Sequence, residues 1–159
     1  MRLPRPFLLC VVLLATACAS DESVGVGGVA PPVDGRLVAS LETPVIASGD
    51  ENVTFIVNVR SSLPENASGG VCAQVVEARP ANSLSWSDVT STTGVCIALA
   101  VVVSPASTAQ FNGIASRARL RQVGGGVSGA PLRVRVRHTL AGARGVYALQ
   151  SAELSWSVP

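Results

Sequence analysis

Between residues 52 and 59 the chain alternates with a period of two. Val53, Phe55, Val57 and Val59 fall on one side, with Thr54 and Asn58 opposite. Successive side chains of a strand point to opposite faces, so this segment predicts a strand with one buried face. Shorter runs of the same character cover residues 36–41, 71–78, 83–89, 110–114, 117–123, 132–139 and 146–158, the last long enough to need a bend. In residues 83–89, Leu84 and Trp86 share a side and serines take the other. Residues 95–103 are apolar on both faces, which predicts a central strand covered on both sides. Breakers separate the runs: Ser48-Gly49-Asp50, residues 64–70, Pro80, Gly94, Pro105, residues 124–129 and residues 142–145. No stretch has the spacing of an amphipathic helix. About eight or nine short strands at this spacing predict an all-β fold, a single antiparallel β-sandwich over residues 36–159, with a closed barrel as the alternative.

Composition agrees. The 159 residues are 48% hydrophobic, 14% charged and only 4% aromatic, and the mean hydropathy is +0.44. That is too apolar for a disordered chain and suits one Val-rich domain. The phrase Leu-Ser-Trp-Ser occurs at residues 84–87 and again at 154–157 without matching flanks, which marks two similar strands rather than a repeat. The ending Gly145-Val146-Tyr147, followed by Glu153-Leu154-Ser155-Trp156, resembles the closing strands of bacterial Ig-like domains. The resemblance covers about a dozen residues and implies an Ig-like sandwich without implying a function.

The first residues read as an export signal. Arg2 and Arg5 precede 11 apolar or small residues, 7–17, which is signal-peptide length and too short to span a bilayer as a helix. The segment ends Leu14-Ala15-Thr16-Ala17-Cys18. This resembles the lipobox of bacterial lipoproteins, with Ala15 where leucine is commoner. The resemblance implies cleavage before Cys18, acylation of Cys18 and anchoring to the bacterial cell envelope. Ala19 at the next position implies the outer membrane where the cell has one. Two or more acyl chains anchor stably, at about 0.8 kcal/mol per buried CH₂. The alternative is a soluble secreted protein cut after Ala17 or Ala19. Residues 18–35 are rich in Gly, Pro and acids and read as a flexible linker. Asn52-Val53-Thr54 and Asn66-Ala67-Ser68 are glycosylation sequons, which matter only in a eukaryotic secretory pathway.

Cys10 leaves with the signal peptide, and acylation would occupy Cys18. Cys72 and Cys96 then remain as an even pair in an oxidising compartment, which predicts a disulfide. Such a bond would stabilise the fold by about 3 kcal/mol in the chain-entropy account. Both cysteines stand near the starts of their strands. A simple hairpin would put them at opposite ends, whereas an intervening strand at residues 83–89 puts them on the same edge. The spacing from Cys72 to Trp86 is similar to that of antibody domains, but there the second cysteine lies much further on. A zinc site would need more ligands than one histidine and one cysteine pair supply, so no metal and no cofactor is expected.

Every basic residue is arginine, which reads as genomic base composition. From residue 18 onward there are 10 arginines and 10 acids, unevenly placed. Residues 18–110 hold Arg36, Arg60 and Arg79 against nine acids, and residues 111–159 hold seven arginines against Glu153. Arg117, Arg119 and Arg121 recur at every second position, as do Arg133, Arg135 and Arg137, with a glycine-rich loop between the runs. The pattern predicts one hairpin with six arginines on a single face. Two uses fit such a face. It binds an anionic partner such as lipopolysaccharide, an acidic glycan, a lipid head group or an acidic protein. Or its arginines pair with the acids of the first half and are otherwise solvated. Nucleic acid does not fit, since no aromatic residue is interleaved for base stacking.

His138, the single histidine, shares parity with Leu132, Val134 and Val136 and reads as structural. No nucleophile elbow, His-Glu-x-x-His or phosphate-binding loop is present. The expectation is a membrane-anchored, non-enzymatic sandwich that binds or scaffolds at the envelope. A structural subunit of an envelope assembly and a protease-inhibitor-like domain are the alternatives. An exposed apolar edge strand would favour the first alternative, and a rigid protruding loop the second.

Overall fold

The alternation at residues 52–59 is the seed of the core. In the computed structural model, which describes residues 34–44, 46, 49–70, 73–91 and 100–158, it forms β2 (Asn52–Ser61). Val53, Phe55, Val57 and Val59 point inward, each at most 1% exposed. β1 (Leu37–Leu41) and β7 (Thr108–Ser116) flank it in an antiparallel three-stranded sheet of order β1-β2-β7.

The second sheet is organised around β8 (Pro131–Gly142), whose inward residues Leu132, Val134, Val136, His138 and Leu140 are all buried. Along one edge it pairs with β4 (Gln74–Pro80) and, further on, with β3 (Ala67–Gly70). Along the other it pairs with β9 (Gly145–Gln150) and β10 (Leu154–Ser157). β5 (Ser87–Asp88) and β6 (Ala100–Val103) complete a seven-stranded antiparallel sheet. The inner faces of the two sheets enclose one hydrophobic cluster, in which Trp156 of β10 meets Phe55 of β2 edge to face at 5.6 Å. Two isolated bridges stitch the sheets together, Ala39 with Ser151 and Thr90 with Ala115. The expected all-β sandwich is the architecture observed.

Three expectations about elements are corrected. Residues 117–123 are not a strand but a short helix, α1 (Arg117–Val123). Ser116, still extended, accepts a hydrogen bond on Oγ from Arg119 N, and Ala, Leu, Arg and Gln are all good helix formers. The turn that ends α1 runs into Gly125 and Gly126, both at positive φ. Only Leu120 of the helix is buried, so one apolar residue decided the packing and a pattern of two could not be told from one of 3.6. Residues 83–86 form no strand, and the Trp86 ring lies over the guanidinium groups of Arg79 and Arg135 on the outer face of the sheet. Of the segment expected at the centre, residues 95–103, residues 95–99 lie outside the described residues. Its remainder, β6, stands at the end of the sheet path, with Val102 53% exposed. The bend expected in the last segment falls at Ser151, whose N–H and Oγ both bond the backbone of Val136. The leader, Cys18, Cys72 and Cys96 lie outside the described residues, and the strand assumed between the two cysteines reduces to Ser87–Asp88.

Candidate functional site

A strand places every second side chain on the same face, about 6.8 Å apart. β8 therefore presents Arg133, Arg135 and Arg137 in a row on the outer face of the large sheet, behind the buried valines. The helix removes Arg117, Arg119 and Arg121 from this row. Positions two apart on a helix are about 200° apart around its axis and positions four apart about 40°, so Arg119 points away from Arg117 and Arg121, which share a face of α1 and line one hollow. Arg119 donates to the Thr90 carbonyl at 3.2 Å, and Arg117 reaches the Asp50 carbonyl at 3.4 Å. The single face of six arginines is corrected to a row of three on β8, with the other three on the crossover between sheets.

Register brings new residues into the row. Arg79 of β4 lies directly opposite Arg133, and Glu77 directly opposite Arg135. The Glu77 carboxylate bridges Arg135 at 2.6 Å and Arg137 at 3.4 Å. Glu153 pairs with Arg79 at 3.0 Å. Arg133 donates to Ser155 Oγ of β10. The indole of Trp86 lies over two of the guanidinium groups, 4.9 Å from Arg79 and 4.1 Å from Arg135. Glu77, Arg135 and Arg79 are each less than one-fifth exposed at the side chain, so these ions are held in fixed geometry rather than freely solvated. Three of the four guanidinium groups of this face bond carboxylates: Arg135 and Arg137 share Glu77, and Arg79 holds Glu153. Pairing with acids of the first half therefore accounts for part of the arginine stripe.

Sequence reasoning missed Arg79, Glu77 and Trp86. Glu77 and Arg79 have the parity of outward residues on β4, and that was the available signal. Nothing in the sequence says that Trp86 folds back over the outer face.

A second polar cluster stands where the described chain begins. Asp34 and Arg36 form an ion pair at 2.6 Å, and Arg36 lies 5.4 Å from the Tyr147 ring centroid. Tyr147 Oη donates to Glu65, which also accepts from Arg144 N at 2.9 Å. The tyrosine hydroxyl holds the Glu65 carboxyl below its ordinary range, and the same bond raises the tyrosine. The Arg36 side chain holds Asp34 down in the same way. These groups pin the start of β1 against β9, where Asp34 N also donates to the Ala148 carbonyl at 2.9 Å.

His138 is 2% exposed, with its ring edge-on to Phe111 at 5.3 Å and its Nδ1 accepting from Thr139 N. Burial lowers its pKa, against an opposing backbone hydrogen bond with Ala73. Among the described residues no group of His, Cys, Asp and Glu could hold a metal ion.

No protein-family model matches the chain, and no curated protein matches it. Solved structures that are distantly similar include the following two. One is an X-ray structure of a Northeast Structural Genomics Consortium target, 9% identical, with a TM-score of 0.49, covering 80% of this chain and 90% of that one. The other is a crystal structure of a protein from Archaeoglobus fulgidus, 14% identical, with a TM-score of 0.42, covering 77% of this chain and 95% of that one.

Proposed function

We propose that this protein is a lipid-anchored, non-enzymatic binding module of the bacterial cell envelope, which holds an anionic partner on the outer face of its large sheet. The observation that carries the reading is the row Arg133, Arg135, Arg137, joined by Arg79. Arginine forks match carboxylate and phosphate groups in two-point contact. Because Glu77 and Glu153 already orient three of them, little side-chain freedom is lost when a partner arrives. Acidic glycans, lipid head groups and acidic proteins all offer the required charge. The anchor rests on the run of small residues before Cys18.

Arg133 and Arg137 flank the row and are the residues to reverse. The wild-type protein should bind polygalacturonate or vesicles containing an anionic lipid, with affinity falling as salt rises. The double variant R133E/R137E should lose on the order of tenfold or more in affinity while keeping its fold. Equal binding by the two proteins at low salt would remove the arginine row as the binding face.

A further inference from the structure

Between β4 and β5 the chain leaves the sheet and crosses its outer face. Leu84 on this segment is 90% exposed, more than any other large hydrophobic side chain among the described residues. Its backbone N–H and carbonyl make no hydrogen bond among the described residues. A single exposed leucine is ordinary. The way its neighbours are held is not.

Ser83 N donates to the Pro80 carbonyl at 3.0 Å, and Ser85 N to Ser83 Oγ at 3.1 Å. The Arg79 guanidinium donates to the Ser83 carbonyl, just before Leu84, and also lies under the ring of Trp86, two residues after it. Glu153 fixes Arg79 from the far side at 3.0 Å. Arg135 gives Trp86 its second contact and is itself locked to Glu77. One guanidinium thus clamps the chain on both sides of the exposed residue, in a stretch without regular secondary structure.

That arrangement suits one kind of partner. An endopeptidase inserts one side chain of an accessible segment into a specificity pocket, and its nucleophile attacks the carbonyl carbon of that residue. The peptide C–N bond breaks, the new amine takes a proton and departs, and water then hydrolyses the acyl-enzyme. Here the amine would be that of Ser85, one residue before the clamped Trp86. The acyl end would be Leu84, one residue after the clamped Ser83. With both ends held, the amine stays within reach of the acyl carbon. Its attack there re-forms the Leu84–Ser85 bond and frees the nucleophile, faster than water completes hydrolysis. We propose that residues 83–85 form a substrate-like inhibitory loop, with Leu84 filling the specificity pocket of an endopeptidase that prefers large apolar side chains. Arg79 and Arg135 belong to both the clamp and the arginine row, but the side chain that meets the endopeptidase is Leu84, so the inference does not rest on the anionic partner.

Chymotrypsin, whose specificity pocket is a hydrophobic slot, is the probe. Steady-state assays against a chromogenic peptide should show competitive inhibition by the folded protein, with slow cleavage confined to Leu84–Ser85. Leu84→Arg should abolish inhibition of chymotrypsin and create inhibition of trypsin, and its exposed position keeps the fold intact. Arg79→Met should turn the inhibitor into a substrate, cut at the same bond on the order of tenfold faster or more. R133E/R137E should inhibit as the wild type does, which separates this inference from the anionic reading. Absence of competitive inhibition overturns the proposal. So does prompt complete cleavage of the wild-type loop, or a Leu84→Arg variant that fails to switch enzymes, or an Arg79→Met variant cut no faster than wild type.

Discussion

At the scale of single residues, two neighbouring glycines make opposite predictions. A Cβ on Gly69 would stand 2.9 Å from His138 Cε1 and 3.1 Å from Leu140 Cδ2, and closer still to the Thr139 carbonyl oxygen, which is backbone and cannot move aside. Beside it, a Cβ on Gly70 would meet nothing within 4 Å. Gly69→Ala should therefore lower the unfolding free energy by about 1–3 kcal/mol, as overpacking does. Gly70→Ala should leave the urea midpoint nearly unchanged. Equal effects at both sites would mean that β3 does not press against β8 as described. His138 adds a pH dependence. Its folded pKa lies below the value of 6.5 it has when solvated, so the folded state favours the neutral ring. The stabilisation is complete above about pH 6.5 and is lost as pH falls from there towards the folded pKa, at up to about 1.4 kcal/mol per pH unit. Urea midpoints between pH 7.5 and pH 5 should fall for the wild type and stay flatter for His138→Leu, which cannot titrate. The carboxyls of Asp34 and Glu65, held down by their partners, contribute only at more acidic pH, so the two windows can be separated.

At the scale of elements, what could be read in the sequence followed from how many buried residues each segment commits. β2 and β8 each bury four or more alternating side chains, and their positions and faces were plain from the pattern. α1 buries only Leu120, and β5 buries nothing, so the alternation read in residues 117–123 and 83–89 had no buried face behind it. The arginine row was legible for the same reason as β8 was: Arg133, Arg135 and Arg137 are the outward half of a strong alternation. Its partners were not, because Glu77 and Arg79 reach it only through the pairing of β4 with β8, a contact about 58 residues long in sequence. This pairing is testable through Glu77. Replacing it with Gln removes the charge that separates Arg135 from Arg137, in a site under one-fifth exposed on the Glu77 side. Glu77→Gln should destabilise the fold by about 1–2 kcal/mol. It should also tighten binding to polygalacturonate, since one repelling carboxylate is gone. Loss of stability without tighter binding would mean that the row serves the sheet alone.

At the scale of the whole molecule, the place where the described residues begin bears on how the proposed anchor would orient the domain. Asp34 enters the fold beside β9, fixed by Arg36, Tyr147 and Glu65, at the end of the sandwich where β1 begins and β2 ends. β7 runs the other way from β2, so α1, which follows its last residue, stands at the opposite end. A domain held at Cys18 by the fifteen residues 19–33 would present the α1 end away from the membrane. Fifteen residues span about 50 Å at most when fully extended. The sheet face carrying the arginines runs between the two ends, so it would be open to a partner beside the anchor as well as to one above it. Everything in this picture depends on the acyl chains, and a mass measurement decides them. Protein taken from membranes of its native host should begin at Cys18, carry added acyl mass, and gain two hydrogens on reduction as the bond between Cys72 and Cys96 opens. Cys18→Ser should move the protein to the soluble fraction with its fold unchanged. A lipid-free soluble product from the wild type would detach the arginine face from any membrane and leave a secreted domain whose partner must be sought in solution. A mass that does not change on reduction would leave Cys72 and Cys96 as thiols, and the sandwich would then stand on its packed core alone.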